Sequence, residues 1–147
     1  MSPHKTKIDI FLEAAAPDLK KARYKELAQK VAQHLNLHFE EIALILVDDE
    51  YLKKLHKEYL NDDTYTDVMT FDLSDEFDKT AEIYISVDRA RLNAAHFQAD
   101  TAEEIARLVC HGLLHLSGLD DHTAAERQYM HQQENHLLKN FWSGETT

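Results

Sequence analysis

Two histidines stand four residues apart in the segment Ile105 to Leu119, IARLVCHGLLHLSGL. On a helix, positions i and i+4 share a face one turn apart, so the rings of His111 and His115 can meet a single ion. Imidazole binds zinc at about 2.0–2.1 Å. Gly118 reads as the left-handed stop of that helix. The loop beyond it, Leu119-Asp120-Asp121-His122, can then return a third ligand toward the first two. Three protein ligands and one open position make a catalytic rather than a structural zinc site. Gly112 adds weight. A mid-helix glycine costs about 0.8–1.0 kcal/mol relative to alanine, and the chain has only three glycines to place. Its expected reason is close approach of another backbone or of a substrate. Cys110 points roughly 100° away around the helix and reads as a buried small hydrophobe.

The elements that must position these residues follow from periodicity. Alternation marks strands at Lys7 to Leu12, Val68 to Phe71 and Ala81 to Ser86, and a continuous apolar run, EIALILV at Glu41 to Val47, marks one covered on both faces. Pro17 and Asp18 are expected to open a helix to about Asn36, with Leu19, Leu27, Val31 and Leu35 inward. Asp48 or Asp49 caps a helix to about Tyr59, with Leu52, Leu55 and Tyr59 inward. Ser86 caps a third through Phe97. Capping boxes at Thr101/Glu104 and Thr123/Glu126 start the last two helices, about 101–117 and 123–141. The order β α β α β β α α α implies an α+β fold of α/β-like character. Its mixed sheet has about four strands, mostly parallel with one antiparallel, among about five helices. The helix carrying His111 and His115 is apolar almost all round and is the buried one.

Residues 1–147 suit one domain. The 44% apolar and 29% charged composition excludes a disordered chain. The longest apolar run is too short to span a bilayer, and the N-terminal apolar patch is broken by Asp9 and Glu13, so neither a membrane span nor a signal peptide is expected. With the single Cys110, this points to the cytoplasm. A net charge of −11 argues against coating nucleic acid by bulk charge. Locally, the stretch 18–36 carries five basic residues against two acidic ones and is a candidate surface for RNA or the ribosome.

The string HGLLHLSGLDDH, His111 to His122, resembles the signature H-G-x-x-H-L-x-G-x-D-H of the YbeY family. YTDVMTF (Tyr65 to Phe71) and AEIYISVDRA (Ala81 to Ala90) are similar to two further segments of that family, in the same order. The resemblance implies a zinc-dependent, single-strand-specific endoribonuclease with one Zn²⁺ per chain, acting in 16S rRNA 3′-end maturation and ribosome quality control. Its implied partners are single-stranded or ribosomal RNA and the ribosome or its proteins, with no DNA and no membrane. His111, His115 and Asp67 are the catalytic candidates, Asp67 either as orienter of a histidine or as a turn cap. The metal candidates are His111, His115, Asp121 and His122. The family's third ligand falls ten positions after the first histidine, where this chain has Asp121; His122 serves if the loop carries one extra residue. The arginine that many members carry upstream of T-D-V is absent near Leu60, and Arg89, Arg107 or a lysine of the second helix are the candidate substitutes, between which the sequence does not choose. Two other readings remain: a zincin-like metallopeptidase, for which Gly112 stands where the general base Glu belongs, and a metal-stabilised ribosome-associated factor with little turnover.

Overall fold

The computed structural model describes residues 5–16 and 19–142. Its elements run β1 (Lys7–Leu12), α1 (Lys21–His34), β2 (Glu41–Val47), α2 (Asp49–Leu60), β3 (Val68–Asp72), β4 (Thr80–Ser86), α3 (Val87–His96), α4 (Thr101–Leu116) and α5 (Ala124–Phe141). The sheet order is β1-β2-β4-β3, with β1, β2 and β4 parallel and β3 an antiparallel edge strand. The α+β class, the four strands and the five helices thus match expectation.

Strand parity divides the sheet. Ile8, Ile10, Ile42, Leu44, Leu46, Ile83 and Ile85 point to one face, where Leu27 and Val31 of α1 and Val109, Leu113 and Leu114 of α4 complete the main core. Ile45, Val47, Met69, Phe71 and Tyr84 point to the other, where α2 contributes Leu52 and Leu55. Alpha-4 is the buried helix, with Ile105, Ala106, Leu108, Val109, Cys110, Gly112, Leu113 and Leu114 inside. Burial pushes the Cys110 thiol up to about 12, so it is an inert part of the core.

Some local expectations are corrected, and one, the choice between Asp48 and Asp49 as the cap of α2, is decided. The expected start at Pro17 and Asp18 lies outside the described residues, and α1 runs from Lys21. It ends at His34 because Asn36 takes a left-handed turn (φ 57°) and Leu37 N–H donates back to Ala32 O. Asp48 caps α2, accepting from Tyr51 N–H at 2.8 Å, while Asp49 is bonded to Arg89. Tyr59 is not inward: α2 outruns the small second core, leaving Tyr59 61% exposed and edge-on to Phe71. Asp100, not Thr101, caps α4, because Glu104 turns inward and is buried beside Arg107. The Thr123/Glu126 box is formed as expected.

Gly112 has a different reason from the one expected. A Cβ there would stand 2.7 Å and 2.8 Å from the methyl carbons of Ile83, which is fully buried on β4. The glycine seats α4 directly on a side chain of the sheet rather than on another backbone or a substrate. Gly118 does terminate the helix, with φ +105°.

Candidate metal centre

Alpha-4 delivers both histidines to one place. His111 Nε2 and His115 Nε2 lie 3.0 Å apart. The turn at Gly118 reverses the chain and brings Asp121 Oδ2 to 3.5 Å from His111 Nε2 and 3.4 Å from His115 Nε2. These three atoms are the one group among the described residues whose spacing suits a metal ion. Ligands at about 2.0–2.1 Å around a tetrahedral centre stand about 3.3–3.4 Å from one another, so the observed triangle has the dimensions of one tetrahedral face.

The hydrogen bonds on the far sides of the rings decide what the near sides offer. His115 Nδ1 lies 2.9 Å from the Leu119 carbonyl oxygen. A carbonyl only accepts, so this nitrogen carries the proton. His111 Nδ1 lies 2.7 Å from Glu134 Oε2, and a carboxylate likewise requires a proton on the ring nitrogen. With both Nδ1 protonated, each neutral ring turns a bare Nε2 lone pair inward. Two such lone pairs and a carboxylate oxygen then converge with no donor between them. That arrangement asks for a positive centre, and the donor set of two imidazoles and one carboxylate suits zinc or a similar divalent ion. Without one, His111 holds a proton more readily than usual: burial works against its charged form, but the hydrogen bond to Glu134 and the charges of Glu134, Asp121 and Asp67 outweigh that.

Glu134 was not among the residues singled out from the sequence. It sits on α5, buried, and bridges His111 to Arg107, whose Nη1 donates to Glu134 Oε1 at 3.2 Å. Arg107 also donates to Asn135 Oδ1 at 2.7 Å. The only sequence signal was a Glu on a polar helix, because the packing of α5 against α4 is what makes it a neighbour of His111.

The remaining candidates fall as follows. Asp67 shares a cavity of about 530 Å³ with His111, His115 and Asp121. Its carboxylate accepts from Asn93 Nδ2 at 3.1 Å and its carbonyl from Ser86 N–H at 2.9 Å. It reaches His111 by charge rather than by hydrogen bond. His122 lies on the rim of that cavity with its side chain 81% exposed, and its nearest ionic partner is Asp120 at 3.9 Å. Leu60 lines the same cavity. Of the proposed stand-ins for the missing arginine, Arg89 is engaged by Asp49 at 2.7 Å, which holds that carboxyl below its ordinary range. Lys53 stands over the Tyr65 ring. Arg107 is one hydrogen-bonded step from His111 through Glu134. None of the basic residues of α1 lines the cavity.

The Endoribonuclease YbeY family model matches residues 9–142, a span that includes every residue of the cluster. The chain belongs to the YbeY family. Among its relatives, Endoribonuclease YbeY of Bacteroides thetaiotaomicron is 37% identical over 122 residues, covering 83% of this chain and 89% of its own. Endoribonuclease YbeY of Christiangramia forsetii is 36% identical over 118 residues, covering 80% and 82%. The solution structure of TM1509 from Thermotoga maritima superposes with a TM-score of 0.66 at 26% identity, over 92% of this chain and 89% of that one. Membership places the protein among hydrolases of the endoribonuclease class, as the resemblance implied. No helix among the described residues is long and apolar enough to cross a membrane.

Proposed function

We propose that this protein is a zinc-dependent endoribonuclease that cuts single-stranded RNA during 16S rRNA 3′-end maturation and ribosome quality control, in the cytoplasm and in contact with the ribosome. His111, His115 and Asp121 hold the ion. The observation that carries this reading is the convergence of three acceptor atoms, 3.0–3.5 Å apart, with no donor among them. The names of the relatives supply the substrate class.

A divalent ion held there supplies Lewis-acid polarisation of a phosphoryl oxygen and brings the pKa of water down to about 7. The chain's own residues do the rest. Glu134 and the Leu119 carbonyl lock the two rings in the tautomer that leaves Nε2 free. Asp121, which follows the turn at Gly118, contributes negative charge. Asp67, steadied by Asn93, adds a second negative charge to the cavity wall.

The peptidase reading is disfavoured at Gly112. A glutamate there, as a zincin requires, would need the space that Ile83 fills. The test is cleavage of a single-stranded rRNA fragment and its duplex by wild type and His115→Ala, each with chelator and with zinc restored. The expected result is zinc-dependent cutting of the single strand by wild type alone. Equal activity in His115→Ala, or cutting untouched by chelation, would overturn the proposal.

A further inference from the structure

The edge strand β3 borders the cluster, and the phase of its hydrogen bonds shows which of its main-chain groups are free. Ser86 N–H donates to Asp67 O and Leu73 N–H donates to Thr80 O, each at 2.9 Å. In the observed antiparallel register, the residues that bond to β4 are therefore 67, 69, 71 and 73. The N–H and C=O groups of Val68, Thr70 and Asp72 point the other way. Beta-3 is the outermost strand, and no group among the described residues pairs with them. All three residues line the cavity that holds His111, His115 and Asp121.

We propose that this free edge seats single-stranded RNA beside the metal cluster, its main-chain groups at Val68, Thr70 and Asp72 pairing with base edges that a duplex conceals. The inference rests on the endoribonuclease reading, since RNA cut at the cluster must lie in this cavity. Each outward residue offers one donor and one acceptor on the same side, the complement of the donor–acceptor pair that every base carries on its pairing edge. Successive stations are about 6.8 Å apart at about 3.4 Å per residue. That is twice the about 3.4 Å spacing of bases in a stacked strand, so adjacent stations take unstacked bases. The charge pattern agrees. The cavity wall carries Asp67, Asp72, Asp120 and Asp121 but no lysine or arginine among the described residues. Away from the cluster, such a wall disfavours phosphate and accepts the amino and imino hydrogens of bases. Leu60, 63% exposed, and Phe71 offer apolar surface at the same rim for the base faces. Main-chain pairing also predicts tolerance of base identity together with single-strand selectivity.

Two measurements test this on the full chain in chelator, which the proposed function expects to stop cutting. In ¹⁵N-labelled wild type, a short single-stranded RNA is expected to shift the Val68, Thr70 and Asp72 amides and slow their exchange, and the matching duplex is not. Thr70→Pro removes one outward donor at an edge position where proline is tolerated. It is expected to weaken single-strand binding about five- to tenfold, the about 1.0–1.4 kcal/mol of one hydrogen bond. Amides unmoved by RNA, or unchanged binding by Thr70→Pro, overturn the proposal. So does a response of the same amides to an extended peptide but not to RNA, which would make the edge a strand-addition site. Wild type that cuts single-stranded RNA while these amides stay silent sinks this inference and leaves the endoribonuclease reading standing. Wild type that neither binds nor cuts RNA overturns both.

Discussion

Replacing Glu134 by glutamine isolates what one buried carboxylate does for the cluster. Its two oxygens have separate tasks: Oε1 takes the Arg107 hydrogen bond at 3.2 Å and Oε2 takes the His111 Nδ1 hydrogen bond at 2.7 Å. Glutamine has one acceptor oxygen. If that oxygen faces His111, the amide NH₂ meets the Arg107 guanidinium, donor against donor. If it faces Arg107, the NH₂ meets His111 Nδ1, and the ring must move its proton to Nε2, the atom needed for metal. Either arrangement costs a charge-assisted hydrogen bond, about 1.5–3 kcal/mol. Substitutions of this kind typically cost 10–100-fold in metal affinity, so Glu134→Gln should weaken zinc binding by about that factor, or about 1.4–2.7 kcal/mol. Calorimetric zinc titration of metal-free protein reads this directly, with circular dichroism to establish that the fold persists. Adding Arg107→Met frees the glutamine oxygen to turn to His111 and should recover part of the loss. Zinc affinity within twofold of wild type in Glu134→Gln would refute the reasoning, as would an identical loss in single and double variants.

Asp121→Asn should lower zinc affinity at least tenfold while His122→Ala leaves it within twofold, measured by competition with a chromogenic chelator; the reverse ranking would make His122 the ligand. The folded pKa of His111 is raised above its unfolded value of about 6.5. Its contribution to the metal-free protein is therefore complete below about pH 6.5 and lost as pH rises through the folded pKa. Urea unfolding in chelator should show stability falling over that window, and a rise there would contradict the assignment. Gly112→Ala places a methyl group 2.7 Å from a fully buried Ile83 side chain. Overpacking of about 1–3 kcal/mol, less about 0.8–1.0 kcal/mol of regained helix propensity, should leave a net loss of about 0–2 kcal/mol in chemical unfolding; a variant more stable than wild type would show that Ile83 can yield.

Local features carried much of this site into the sequence. The i, i+4 histidines, the Gly118 stop and an acid shortly beyond it are all set within a dozen residues, so helix geometry pairs the histidines and one local turn returns the loop to them, though spacing alone left Asp121 and His122 both open. Strands and helices were legible for the same reason, since their periodicity is local. What depended on packing was not. Glu134 reaches His111 from α5, more than twenty positions along the chain, and nothing in its neighbourhood distinguishes it from a solvated glutamate. Gly112 was legible as a close approach, but only the sheet shows that Ile83 is what approaches. Tyr59 fits the helical stripe of α2, yet the second core is too small to cover it. The free edge at Val68, Thr70 and Asp72 depends on strand order, which alternation alone leaves open.

The central claim is that His111, His115 and Asp121 together hold the ion. Anomalous diffraction at the zinc edge, from crystals of the full chain grown with zinc, tests it most directly. The predicted result is one peak at about 2.0–2.1 Å from His111 Nε2, His115 Nε2 and an Asp121 carboxylate oxygen. A peak elsewhere, or one in which His122 replaces Asp121, would contradict it.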